Sequence, residues 1–201
     1  MNATRPLRGA FLALGALALL TVTACSTATP TGTPGVERLG STILRYSGPE
    51  VDAILSYRFA DLHPGEDWLF LDLSLTGNTR TAVEVKREKI AIRTPSGDIV
   101  PLATQKEFGE AYPGLASALA RADIASEPLD YYPSRRPQGL DFLVVPGTGL
   151  SLQSVWVNDL DVAIGRLYFE IPGVAQAGRY ELRIDLPESK IRIPFELGAG
   201  R

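Results

Sequence analysis

The sequence predicts an all-β sandwich with a short helical insertion. Three observations carry that expectation. From Val36 onward the chain falls into short apolar segments divided by Gly, Pro, Asn and Asp, the rhythm of strands and turns in a sandwich. Residues 68–76 place Leu69, Leu71, Leu73 and Leu75 on one face and Asp72, Ser74 and Thr76 on the other. Helical spacing shows only between Leu102 and Gly139.

Taken in order, residues 51–59 alternate with apolar side chains at odd positions and predict a half-buried strand. His63-Pro64-Gly65 predicts a turn. The strand over 68–76 ends at Gly77-Asn78, and strands follow over 81–85 and 89–94. Pro95-Ser96-Gly97-Asp98 is a turn signal before Ile99-Val100. Residues 140–145, apolar except for Asp141, predict a central strand. Segments 155–157, 164–171, 179–186 and 190–197 complete the set.

In the insertion, about 103–139, Phe108, Tyr112, Leu115, Leu119 and Ala122 share one helical face. Gly109, Pro113 and Gly114 argue against one unbroken helix, because an interior proline removes a hydrogen bond and clashes with the preceding turn. The expectation is a helix over 105–111 and a second over 113–122, packed on an edge of the sandwich; a partner contact is the alternative. The loop that follows carries Tyr131, Tyr132, Arg135 and Arg136 between prolines, residue types that favour recognition surfaces. These four are the candidate binding residues, with packing of the rings on the sandwich as the other reading.

The chain has 201 residues, a formal net charge of −3, one Cys and one His. A single Cys excludes an internal disulfide framework, and a single His excludes multi-histidine metal sites. The acidic balance argues against nucleic-acid binding. The N-terminus has Arg5 and Arg8, then an apolar run over 9–20, too short at about 18 Å of helix to cross a hydrocarbon core of about 30 Å. Val22-Thr23-Ala24-Cys25 follows, and here the segment resembles a bacterial lipoprotein signal ending in its lipobox. The resemblance implies a signal peptide over 1–24, lipidation of Cys25 and, in a Gram-negative host, sorting by Ser26 to the periplasmic side of the outer membrane. Simple secretion with cleavage after Ala24 or Ala28, and an uncleaved anchor, are the competing readings. Cleavage before Cys25 would leave 177 residues (201 − 24) with a charge of −5, since Arg5 and Arg8 are lost. Residues 25–37 are expected as a tether, because 26–35 contain only small residues, Thr, Pro and Gly and reach at most about 35 Å. The folded domain is expected over 38–199.

A second resemblance rests on Phe70-Leu71-Asp72-Leu73-Ser74-Leu75, on Ile90-Ala91-Ile92 leading to Pro95-Ser96-Gly97-Asp98, on Gly165-Arg166-Leu167-Tyr168-Phe169-Glu170-Ile171-Pro172 and on Tyr180-Glu181-Leu182. This order is similar to immunoglobulin-like β-sandwich domains of unknown function on bacterial lipoproteins and secreted antigens. It spans roughly 51–186, and the insertion between Leu102 and Gly139 departs from it. The family brings no catalytic residues, so none carry over.

Other chemistry is thin. His63 has Glu66 and Asp67 nearby but no nucleophile signature such as G-x-S-x-G. Asn158-Asp159-Leu160-Asp161 offers oxygen ligands without the spacing of a calcium loop. Pro146-Gly147-Thr148-Gly149 lacks the Lys of a phosphate loop. The expectation is therefore a non-enzymatic envelope lipoprotein with no cofactor and no metal, anchored to the membrane by lipid and presenting its domain to a protein partner in the envelope. A module that binds a glycan or small envelope molecule through the Tyr/Arg loop is the alternative.

Overall fold

Leu69, Leu71, Leu73 and Leu75 lie on one side of a ten-residue strand because strand side chains alternate with period two, and this strand is the spine of the molecule. The computed structural model describes residues 35–198. The expected signal peptide, Cys25 and the tether over 26–34 lie outside the described residues. In chain order the elements are β1 (Val36–Arg38), β2 (Ile43–Ser47), β3 (Val51–Ser56), α1 (Arg58–Leu62), β4 (Trp68–Gly77), β5 (Val83–Lys86), a 3-10 turn (Arg87–Lys89), β6 (Ile90–Arg93), β7 (Ile99–Pro101), α2 (Gln105–Ala125), β8 (Arg136–Gly139), β9 (Ser154–Val157), β10 (Asp161–Glu170), β11 (Gly178–Asp185) and β12 (Lys190–Leu197).

The described residues are built mainly of strands in several sheets, as the sequence predicts. One sheet runs β1-β2-β3-β4-β10-β8, a second β12-β11-β6-β7, and β5 pairs with β9 as a ribbon. All pairings are antiparallel except β8 with β10, which is parallel. Leu55, Leu71 and Leu167 from the first sheet meet Ile92, Leu182 and Ile193 from the second and Val85, Val155 and Val157 from the ribbon in one continuous core. Burying a side chain of this size stabilises by roughly 1.5–3 kcal/mol, so this core is the main source of stability. Gly77 ends β4 where the β9–β10 connection crosses it; a Cβ there would sit 2.6 Å from the Asn158 Cα.

A second apolar cluster lies on the other side of the six-stranded sheet. Trp68 and Phe70 of β4 and Tyr168 of β10 pack against Phe108, Ala118 and Ala122 of α2. Phe108 sets its ring 4.9 Å from Tyr168 and edge-on to Trp68 at 6.4 Å. The start of α2 is fixed by a capping box: Glu107 N donates to Thr104 Oγ1 (3.1 Å) and Thr104 N donates to Glu107 Oε2 (2.7 Å). These bonds hold the Glu107 carboxyl below its usual range. The Gln105 side chain then bonds both backbone groups of Val144, at 2.8 and 2.9 Å.

Four expectations need correction. The strand expected over 51–59 stops at Ser56 and becomes α1. A continued strand would send Tyr57 and Phe59 to the same side. The helical turn sends Tyr57 into the main core, 5.1 Å from the Phe195 ring, and Phe59 onto Phe70 at 5.2 Å. The run 140–145 is not a strand. Leu140 and Phe142 enter the main core and Leu143 the second, but Phe142 N turns back to the Leu140 carbonyl and Val144 bonds the Gln105 side chain, so the backbone forms no strand ladder. The insertion holds one helix rather than two, with Pro113 inside it. Pro113 and Gly114 face solvent, where water can reach the backbone left without its helical bond. That helix covers a sheet face rather than an edge, since its partners Phe70 and Tyr168 belong to two central strands. In addition, Val36 and Glu37 already pair with β2, so the sheet begins before the boundary expected at 38.

Candidate functional site

The register of the six-stranded sheet puts Ser56, Asp72 and Arg166 in one outward row, with Asp52, Thr76 and Val162 in another. An outward face of this kind would ordinarily be solvated. Here α2 and the segment 126–135 roof it, and Ser56, Ser74 and Thr76 are all buried. Buried polar groups need partners, and the roof supplies most of them. Arg166 Nε donates to Asp72 Oδ1 (2.7 Å), Nη1 to Asp123 Oδ1 (2.8 Å) and Nη2 to the Ala122 carbonyl (3.3 Å). The Arg166 side chain is only 13% exposed. Burial works against its charge, but Asp72 and Asp123 outweigh that and hold its pKa above the usual value. Helix α2 has no basic residue in its last turn, so Arg166 supplies the cation at its C-terminal carbonyls. Next along the roof, Ser126 Oγ donates to Asp72 Oδ2 (3.0 Å). Glu127 then accepts from Thr42, Ser56 and Arg58 at 3.1–3.2 Å.

The Tyr/Arg loop continues this roof. Arg135 turns inward: its Nη1 donates to Thr76 Oγ1 and to the Gly77 carbonyl (2.7 Å), and its guanidinium lies 5.2 Å from the Tyr132 ring centre. Tyr132 is half-buried, with its hydroxyl enclosed and lacking a hydrogen-bond partner. Burial, with Asp52 adding to it, pushes its pKa up to about 12; Arg45 pulls the other way without reaching hydrogen-bond geometry. Tyr131 is half-buried, and Tyr131 N bonds the Leu129 carbonyl at 2.9 Å. Arg136 is exposed and pairs with Asp161 at 2.9 Å. Tyr131, Tyr132 and Arg135 therefore share one loop and Arg136 opens β8, but Arg135 and Tyr132 are turned toward the sheet rather than toward a ligand space.

His63 stacks on Phe59 at 4.4 Å, and its Nδ1 meets the Phe59 carbonyl at 3.1 Å. In the 158–161 segment, Asn158 Oδ1 accepts from Leu160 N (2.8 Å), an Asx turn, while Asp159 faces Arg80 (3.3 Å) and Asp161 faces Arg136. Both carboxylates are thus matched by arginines. Among the described residues no group of three or more His, Cys, Asp or Glu is placed to hold a metal.

Two surface features were not anticipated from the sequence. A recess of about 250 Å³ lies between β4 and α2, lined by Phe59, Trp68 and Leu115 together with Glu66 and Asp67. Glu66 there is bridged by Arg121 at 2.8 Å. The second feature is on the ribbon. Val155 and Val157 point into the core, so the strand alternation sets Trp156 outward, 55% exposed, opposite Glu84 of β5. Leu150, 90% exposed, and Leu152 precede it along the chain. The V-W-V pattern of residues 155–157 carried that signal, since a Trp between two core valines must face outward. No known protein family matches the chain, and no curated protein matches it either.

Proposed function

We propose that this chain is a lipid-anchored envelope protein whose immunoglobulin-like sandwich serves protein interaction and not catalysis. The observation that carries this reading is Trp156, a large apolar side chain turned to solvent on a rigid ribbon, with Leu150 and Leu152 exposed just before it. Exposed Trp on rigid backbone is the chemistry of protein-contact hot spots. Two sheets closed on one apolar core, with β1 starting eleven residues after Cys25 (36 − 25), support a compact domain presented close to the membrane face. The ligand-binding alternative through Tyr131, Tyr132, Arg135 and Arg136 is less favoured, because the Arg135 donors already serve Thr76 and Gly77.

A photo-crosslinking residue at position 156 of the full chain, in cells, tests the interaction. One specific envelope protein is expected, lost in Leu150→Ser; recovery of none counts against the reading. The anchor is tested separately by mass spectrometry of the mature N-terminus, with Cys25→Ser as control. An acylated Cys25 is expected, and an unlipidated wild type rejects it.

A further inference from the structure

The outer face of the four-stranded sheet is charged and open. Its outward positions are Arg179, Glu181, Arg183 and Asp185 on β11, Lys190, Arg192 and Glu196 on β12, and Arg93 on β6. Arginines in this domain are systematically matched. Eleven of the thirteen among the described residues pair with an acid or donate to a hydroxyl or a backbone carbonyl. The two that do not, Arg93 and Arg179, are diagonal neighbours on one face: Arg93 stands opposite Glu181, two positions from Arg179. Both are exposed. The described residues carry 23 acids against 17 bases, the 20 of the whole chain less Arg5, Arg8 and Arg201, so partners are in excess. Two arginines at neighbouring positions of one face, both left without a partner, are out of keeping with the rest of the domain.

The pair also lines a recess. Arg93, Thr94, Pro95, Gly97, Arg179, Tyr180 and Glu181 bound a polar hollow of about 400 Å³. Gly97, at φ +97, lies beside the Arg93 guanidinium and has no side chain to fill the space. The acids nearby are engaged: Glu181 with Arg183 at 3.5 Å, and Asp98 with Ser96 Oγ at 2.6 Å. Guanidinium groups recognise oxyanions through paired, charge-assisted hydrogen bonds, and two of them suit a tetrahedral anion.

We propose that Arg93 and Arg179 form a binding site for a phosphate group, either a free phosphate or the phosphodiester of an anionic lipid headgroup. The site does not depend on Cys25 being acylated. Neither side chain makes a hydrogen bond or ion pair among the described residues, and both are exposed, so both can be removed without breaking one.

The test uses the full chain in neutral detergent, with the Gly97 and Glu181 amide chemical shifts as the readout. Inorganic phosphate is titrated in one arm; in the other, phosphatidylglycerol or phosphatidylcholine is added to the same micelles. Saturable shifts are expected, weakened about tenfold or more in R93A/R179A and changed less than about twofold in R183A, whose arginine is already paired. Shifts with phosphatidylglycerol but not phosphatidylcholine, displaced by phosphate, identify the membrane as the source. Shifts with inorganic phosphate alone identify a soluble ligand. Equal shifts in R93A/R179A and wild type, or no saturable shift in either arm, overturn the proposal.

Discussion

Asp72 and Arg166 on the six-stranded sheet, and Asp185 and Arg192 on the four-stranded sheet, are the same chemical pair in opposite settings. Each sheet turns one face to the shared core. On the first sheet the other face lies under α2, and the Asp72 and Arg166 side chains are 15% and 13% exposed. On the second the other face is in water, and the contrast lies in the acid: Asp185 is 49% exposed while Arg192 is 20% exposed. The covered pair draws its further partners from the roof, through Asp123, Ser126 and the Ala122 carbonyl. The open pair, at 2.5 Å, shares its charge with water. Distance alone therefore says little about what a pair contributes; the cover above it decides.

The largest effect expected is on the cover itself. Phe108→Ala removes a ring that is fully buried between α2 and the sheet and should cost about 3–5 kcal/mol. Denaturant unfolding measures this directly. A loss below about 1 kcal/mol would mean that α2 is not fixed by its apolar side and would remove the basis of the comparison.

The buried pair comes next. Arg166→Met strands Asp72 in a covered site and should cost about 3 kcal/mol or more, lowering Tm by roughly 10 °C for a domain of this size. The double variant Asp72→Leu/Arg166→Met should recover most of that loss, since a well-packed apolar pair can replace a buried ion pair. A double variant as unstable as the single one would show that the network fixes α2 through Ser126 and Asp123 as well.

These two sites also show what was legible in the sequence. The alternation over 68–76 placed the four leucines correctly, because period two is a local property of a strand. It could not say that Ser74 and Thr76 are buried, because what covers them comes from 105–135, far along the chain. Residues 140–145 failed for a related reason: a largely apolar segment fits a central strand or a loop shared by two cores, and only tertiary packing distinguishes them. The single helix was more accessible. Thr104-Gln105-Lys106-Glu107 is a capping box, and it starts one helix whose face runs through Ala122. Of the Tyr/Arg loop, the location was legible and the direction was not, because Arg135 turns inward to groups on β4.

Tyr132 sharpens the comparison at a smaller scale. Its enclosed hydroxyl has no partner, so Tyr132→Phe should raise stability, by about 1 kcal/mol. Its folded pKa of about 12 lies above the usual 10.0, so the folded state holds the proton more tightly. The stability linked to it is present below pH 10 and is lost as pH rises toward 12. Tyr46, Tyr168 and Tyr180 are raised by burial too and act in the same window. Urea unfolding across that range should show a fall that Tyr132→Phe makes shallower; a slope unchanged by the variant would place the effect on the other tyrosines.

The smallest effect belongs to the open face. Arg192 Nη2 bonds Asp185, and this hydrogen bond holds the Asp185 carboxyl below its usual range. A lowered carboxylate pKa stabilises above the unfolded value and loses that contribution as pH falls through the folded one, so any effect lies on the acid side. Asp185 can turn to water, while Arg192 keeps its bonds to the Ile184 and Ile191 carbonyls, and an ion pair with one exposed partner is worth about 0.5 kcal/mol or less. Arg192→Gln should therefore change stability at neutral pH by no more than that, and added salt should erase even this difference by screening. The same substitution logic applied to Arg166 predicts a loss several times larger and nearly independent of salt. Should Arg192→Gln prove as costly as Arg166→Met, the four-stranded face would not be open in solution, and the cover over it would have to be another molecule.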